Sequence, residues 1–424
     1  MCFWLLVKNR KKEFNISMPR KSYIHLLYSV AIMMLFWALF DGLVSFVTPI
    51  LITEKLGSRT EMGLILGSSS IAGALCDIFL SKVLRNTHFR RMYLFMFMIC
   101  FLHPLVLMQA NTVIVYLIAM ILWGLYYDLQ NFATFDFMNV EIPKAAYSSS
   151  FGVITVFKSA GYLIAPLIAE VLILEQSIDV HVFYVMWDLL IVGLGFYILL
   201  WYFAFKHHDR SKVTPAEEAR LVMKLNPIKA ISLWEKLSIN LLPVLVFTMF
   251  FNILDAFFWT LGPLTTAYLQ HRDPLGSFFM LAYSLPSVLV GWFVGRFTRH
   301  LGKKRTSFVS FFLGSILLSL LFFVHTVMSV IILVFLSSLL ISLGWPSIKA
   351  AYADYISETT EAEKEIEGLE DFFTNIGYVV GPVLAGYLAD HVGNINTFAV
   401  IGVAGMMVAV LLILKTPRKI HVQI

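Results

Sequence analysis

Charge is what this chain has least of: only 14% of its 424 residues are Asp, Glu, Lys or Arg, against roughly 25% in soluble globular domains. So little charge cannot cover the surfaces of the soluble domains that a chain of this length would otherwise form. Cysteine is scarce too. Cys2, Cys76 and Cys100 lie near the amino terminus or inside apolar runs, which excludes a disulfide framework and leaves no metal-ligand spacing. The polar and proline-rich tracts of disordered or collagen-like chains are also missing. What the chain has instead is apolar mass: 59% hydrophobic residues, 37 Phe and 18 Met, with a mean hydropathy of +0.79.

A helix that spans a bilayer needs roughly 20 mostly apolar residues. Twelve runs meet that length, at 23–52, 60–84, 91–110, 112–139, 145–174, 180–205, 236–270, 274–298, 306–326, 328–356, 366–390 and 396–415. The first is too long and unpunctuated for a signal peptide and is expected to remain in the mature chain. Lysine and arginine gather on one side of these runs. They occupy the amino-terminal segment (Lys8 to Lys21), the 2–3 loop (Lys82, Arg85, Arg90, Arg91), Lys144, the central loop (Lys206 to Lys236), the 8–9 loop (Arg296 to Arg305), Lys364 and the tail (Lys415, Arg418, Lys419). The opposite side has only Lys55, Arg59 and Arg272, so both termini are expected in the cytoplasm. The net charge of +5 is then a topology signal, and no basic, aromatic-interleaved module for nucleic acid accompanies it.

The longest polar stretch, from His207 to Lys236, divides the runs six and six. Thr214, Pro215 and Glu217 supply helix-start signals, and Asn226 with Pro227 a stop, so a short interfacial helix is expected there. The halves also match each other. Phe36, Asp41 and Pro49 of span 1 recur as Phe250, Asp255 and Pro263 of span 7 at one offset. Gly152, Phe157, Gly161, Tyr162, Pro166 and Ala169 of span 5 recur as Gly368, Phe373, Gly377, Tyr378, Pro382 and Ala385 of span 11 at nearly the same offset. An internal repeat with matched acid, Gly-Tyr and Pro positions reads as a duplicated membrane bundle.

These features resemble the major facilitator superfamily. The 8–9 loop, Gly295-Arg-Phe-Thr298-Arg299-His-Leu-Gly302-Lys-Lys-Arg305, is similar to the family's Gly-x-x-x-Asp-Arg-x-Gly-Arg-Lys loop motif, with Thr298 in place of the acid and one residue inserted before Gly302. The 2–3 loop, with Asp77, is a more degenerate copy. Gly377-Tyr-Val-Val-Gly381-Pro382 and Gly161-Tyr-Leu-Ile-Ala165-Pro166 resemble the Gly-x-x-x-Gly-Pro signature of the family's antiporters, whereas the span 4 arginine of its drug exporters is missing. The resemblance implies an all-α membrane protein of 12 transmembrane helices in two pseudo-symmetric six-helix bundles. The expected division is a cytoplasmic segment 1–22, a bundle 23–205, a central loop 206–235 with its interfacial helix, a second bundle 236–415 and a tail 416–424.

An ionisable group at mid-bilayer costs at least ~2.5–3.5 kcal/mol, so each one should face a cavity or a partner. Asp41, Asp255 and Asp128 are the proton-coupling candidates. At comparable depth, Lys158 is expected to pair with Asp128, and Lys349 with Asp371. Tyr127, Asn131, Asn252, Trp259 and Trp345 complete the candidate substrate cavity on helical stripes with these charges. By resemblance, Asp77, Arg90, Arg91, Asp136, Glu141, Arg296, Arg299, Asp354 and Glu358 are candidates for a cytoplasmic gate in which loop arginines pair with span-end acids.

The expected function is a secondary transporter of a small organic solute that works by alternating access with proton coupling, without a metal or other cofactor. A drug or lipophilic-compound efflux antiporter of the same fold is the alternative. A membrane-embedded enzyme is disfavoured, because the eleven histidines are scattered and only His207 and His208 adjoin. A channel is disfavoured for want of a filter loop or charge ring. The expected surroundings are the lipid bilayer of the plasma membrane and a small-molecule substrate, with no nucleic acid and a functional monomer.

Overall fold

The computed structural model describes residues 22–83, 87–143, 146–173, 180–205, 227–290, 298, 302–358 and 363–417. The amino-terminal segment, the central loop with its expected interfacial helix, Arg296, Arg299 and the end of the tail lie outside the described residues. The rest is helical, with no strand among the described residues.

In the first half, α1 (Ser22–Leu56), α2 (Arg59–Val83), α3 (Phe89–Met108), α4 (Val113–Glu141), α5 (Tyr147–Ile173) and α6 (Val180–Phe205) follow the expected spans to within a few residues. The second half holds α7 (Pro227–Gln270), a 3-10 turn (Pro274–Phe278), α8 (Phe279–Val290), α9 (Lys303–Ser319), α10 (Val327–Ile341), α11 (Gly344–Glu358), α12 (Glu363–Val392) and α13 (Asn394–Lys415). Ten spans among the described residues are long and apolar enough to cross a membrane, one of them running through α10 and α11.

The expected tenth span is broken between α10 and α11 at Ser342 and Leu343. Pro346, in the first turn of α11, has no N–H for the carbonyl of Ser342, which favours a helix end there. The break leaves Trp345 stacked on Phe251 of α7, with ring centroids 5.1 Å apart.

Lipid-facing and buried sides alternate as hydropathy demands. On α3, Leu94, Phe95, Met98 and Leu102 are exposed while Tyr93, Met96, Phe97 and Cys100 are buried. α1 is the most enclosed helix: Val30, Met34, Trp37, Val44 and Val47 have no exposed surface. It packs on α5 and α6, and α7 packs correspondingly on α12. Two glycines of the repeat set that packing. A Cβ on Gly161 would lie 2.7 Å from Leu35 O of α1, and one on Gly377 would lie 2.7 Å from Met249 O of α7. Only glycine permits so close a backbone approach.

The halves meet mainly along α2 with α12, α1 with α7, and α5 with α8. The α2–α12 seam lies on the face opposite the chain termini. A Cβ on Gly63 would land on Pro382 O, one on Gly386 would land on Arg59 O, and one on Gly67 would lie 2.8 Å from Val379 O. At the rim, Asp390 of α12 accepts from Arg59 N (3.2 Å), Thr60 N (2.8 Å) and Thr60 Oγ1 (2.7 Å), which caps the first turn of α2 from the other half. The Arg59 guanidinium adds an ion pair to Asp390 at 3.8 Å and donates to Ala389 O. On the termini face, two ion pairs among the described residues, Arg90–Glu141 and Lys303–Asp354, each lie inside one half. The protein is sealed on the face away from its termini.

Candidate functional site

Asp41 sits in the middle of α1, 2% exposed. Its Oδ1 accepts from Tyr126 OH (2.6 Å) and Trp123 Nε1 (3.0 Å) of α4, and its Oδ2 from Tyr162 OH (2.7 Å) of α5. Asp255 in the middle of α7 is held in a related way. Tyr378 OH of α12 donates to Oδ2 at 2.6 Å, and Tyr283 OH of α8 donates to Oδ1. Each carboxylate thus ties three helices of its own half together. The spacing from acid to tyrosine is 121 residues in one half and 123 in the other, so the repeat is preserved as a hydrogen bond. The second donors break the symmetry, because they come from α4 in the first half and α8 in the second. Asp255 is also the less enclosed of the two, only half-buried.

The halves touch between these clusters, where the Tyr162 and Trp259 rings pack edge to face with centroids 5.9 Å apart. Trp259 lies one turn beyond Asp255 on α7. Lys158 lies one turn before Tyr162 on α5, on the termini side of that contact. Its Nζ donates to Gln130 Oε1 at 2.8 Å and stands 4.9 Å from the centroids of both Trp37 and Tyr127.

The expected pair of Lys158 with Asp128 is not formed. Asp128 points at α2, where a Cβ on Gly73 would come within 3.0 Å of its Oδ2, while Gln130, two residues on, faces Lys158. Lys349 likewise pairs with Glu370 rather than Asp371, and it stacks over Trp345 at 4.7 Å. Asp371 instead accepts from Asn375 at 3.3 Å. In both corrections depth was right and the direction around the helix was wrong. Asn252 is buried and donates to Thr248 O and Thr374 Oγ1. Asn131 is half-buried on α4.

Of the gate candidates, Arg90 pairs with Glu141 at 3.8 Å, and Asp136 caps α3 through Phe89 N at 2.7 Å. Arg91 is exposed, and Asp354 pairs with Lys303 at 2.6 Å. The side chains of Asp77 and Glu358 lie outside the description. These pairs are therefore ties within a half, and none of them joins the halves.

A family model of the Major Facilitator Superfamily matches residues 26–273 and 245–424. This chain belongs to the major facilitator superfamily. Solved structures of superfamily transporters share its fold at low identity. The nucleoside transporter NupG has a TM-score of 0.72 and 14% identity over 93% of this chain and 100% of its own. The peptide transporter POT in complex with sulfate has a TM-score of 0.72 and 11% identity over 95% and 97%. A bacterial homolog of the human lysosomal transporter Spinster, inward-facing and unoccupied, has a TM-score of 0.68 and 11% identity over 94% and 96%. No curated protein sequence matches significantly. The superfamily fold makes this a multi-pass membrane protein of the transporter type.

The sequence left Trp123, Tyr126 and Tyr283 unassigned, since nothing in the repeat marks them. Tyr162 and Tyr378 were visible as repeated positions, but not as partners of the aspartates. His103 of α3 belongs to the same cluster, buried with its ring 5.7 Å from Tyr126 and 6.2 Å from Trp123.

Removing the Asp41 carboxylate strands the buried Tyr126 hydroxyl and two half-buried donors, Trp123 Nε1 and Tyr162 OH. An unsatisfied buried donor costs about 1–3 kcal/mol, so Asp41→Ala is expected to lower the melting temperature in detergent clearly. Asp41→Asn should cost less, because its amide oxygen still accepts. Equal melting temperatures for wild type and Asp41→Ala would contradict the clamp.

Proposed function

We propose that this chain is a secondary active transporter that moves a small organic solute by alternating access, with a proton as the coupling ion and Asp255 as the carboxylate that carries it. It is a transporter rather than an enzyme, needs no cofactor, and works as a monomer in the plasma membrane with both termini cytoplasmic. The observation that carries the coupling assignment is the inequality of two equivalent acids. Asp41 is enclosed and saturated by three donors from its own half, which suits a fixed clamp. Asp255 has the Tyr283 and Tyr378 hydroxyls and the Trp259 indole as donors, but it is only half-buried and lies beside the contact between the halves. A mid-membrane acid without a cation in ion-pair reach is a natural proton carrier.

The close backbone contact of α2 with α12 opposite the termini suits an inward-facing state. The basic loops on the termini side support that orientation.

In proteoliposomes loaded with a pH-sensitive dye, transported solutes are expected to move protons across the membrane, and the flux should vanish without protein. Solute flux with no proton movement, at any pH gradient, would overturn the coupling.

A further inference from the structure

We propose that Lys158 is the docking point for an anionic group of the solute, so that the transported compound is an organic anion with a flat or apolar body. This rests on the reading of the chain as a proton-coupled transporter. It adds the class of solute that the same site takes.

A lysine at this depth must be compensated. Lys158 has two aromatic faces and one neutral acceptor, and among the described residues no carboxylate lies within 4.0 Å of it, Asp41 acting on it only from farther off. An ammonium has three donors, and Gln130 takes one of them. The acceptor is itself fixed, since Gln130 Nε2 donates to Thr134 Oγ1 at 2.8 Å. Lys158 is thus held in place with donors to spare. The contrast with Lys349 is direct: it rests on Trp345 in a similar aromatic seat, but Glu370 supplies its counter-charge. At Lys158 the solute is the candidate for that role.

The surroundings fit a solute rather than a lipid headgroup. Trp37, with no exposed surface, backs the ammonium, while Tyr127 on the other side is 37% exposed. The seat is therefore closed behind and open in front. It lies on the termini side of the Tyr162–Trp259 contact. Tyr127, Tyr162 and Trp259 offer ring faces to a flat body beside the charge.

The same arrangement explains why an anion and a proton should travel together. An anion cancels Lys158 and a proton cancels Asp255. The empty carrier and the fully loaded carrier then hold the same net charge in the membrane, while either half-loaded form differs by one unit. Loading both therefore leaves the electrostatic cost of moving the site through the bilayer unchanged, whatever fixed charge Asp41 adds.

The test uses the purified full chain in detergent with three probes that share one skeleton: 3-phenylpropanoate, 3-phenylpropanamide and 3-phenylpropylamine. Thermal shift should show stabilisation by the carboxylate only. Lys158→Gln should weaken it about tenfold or more, as expected for loss of a charge-assisted bond, and Lys158→Arg should retain most of it. Stabilisation by the amine or the amide, stabilisation by none of the three, or an unchanged response in Lys158→Gln would each overturn the proposal. Proton flux in proteoliposomes is read separately. Carboxylate binding without solute-driven proton flux would remove the coupling and keep the docking point. Proton flux with amine-selective binding would do the reverse.

Discussion

Asp255→Asn is expected to abolish the accumulation of solute against its gradient while leaving solute-for-solute exchange running. If one proton accompanies each solute, a pH difference of one unit supplies about 1.4 kcal/mol and sustains about a tenfold accumulation ratio. Asparagine keeps the acceptor oxygen for Tyr378 or Tyr283 but binds no proton, so the ratio should fall to one. Uptake into proteoliposomes under an imposed pH gradient measures the first property and counterflow measures the second. Asp41→Asn is the internal comparison. Its carboxylate is buried under three donors, so the variant should lose stability and keep accumulation. If Asp41→Asn lost accumulation and Asp255→Asn kept it, the two assignments would have to be exchanged.

Gly63→Ala is expected to cut transport by holding the face opposite the termini open. The added methyl would land on the backbone oxygen of Pro382, which cannot rotate away as a side chain would. Overpacking of this kind costs typically about 1–3 kcal/mol, enough to shift an equilibrium between two states by roughly 5–150-fold. Because the clash exists only when α2 and α12 are together, the fold should survive and the sealed state should be lost. A cysteine placed at Val383, in a background without the native cysteines, reports this. Its labelling by an impermeant thiol reagent from the sealed face should rise as turnover falls. Unchanged labelling and unchanged turnover would show that the seam tolerates the methyl group.

The sequence made the helices legible because hydropathy is a one-dimensional property. The sixth span, 180–205, coincides with Val180–Phe205, and the repeat located both aspartates and both tyrosines. What it could not supply was direction around a helix. Asp128 and Gln130 are two residues apart, about 200° around the axis, and only the packed structure shows that the second faces Lys158. Glu370 and Asp371 differ by one residue for the same reason. Trp123, Tyr126 and Tyr283 were invisible because they break the internal symmetry that located their partners. The interruption at Ser342 and Leu343 is signalled by Pro346 just beyond it, yet a count of apolar residues passes over a proline. The seam between α2 and α12 depends on glycines whose role appears only when another backbone lies against them.

The central claim is that two halves, each clamped by its own aspartate and tyrosines, rock about the contact between Tyr162 and Trp259. Distances between spin labels in reconstituted protein test it most directly. One pair, at Glu61 and His391, spans the sealed rim, and the other, at Val140 and Phe372, spans the halves near the termini face. The account predicts opposite movement, with the rim pair lengthening as the termini-face pair shortens when pH or solute is changed. Gly63→Ala should be fixed at the long rim distance. Two pairs that stay constant while transport proceeds, or that lengthen together, would contradict it.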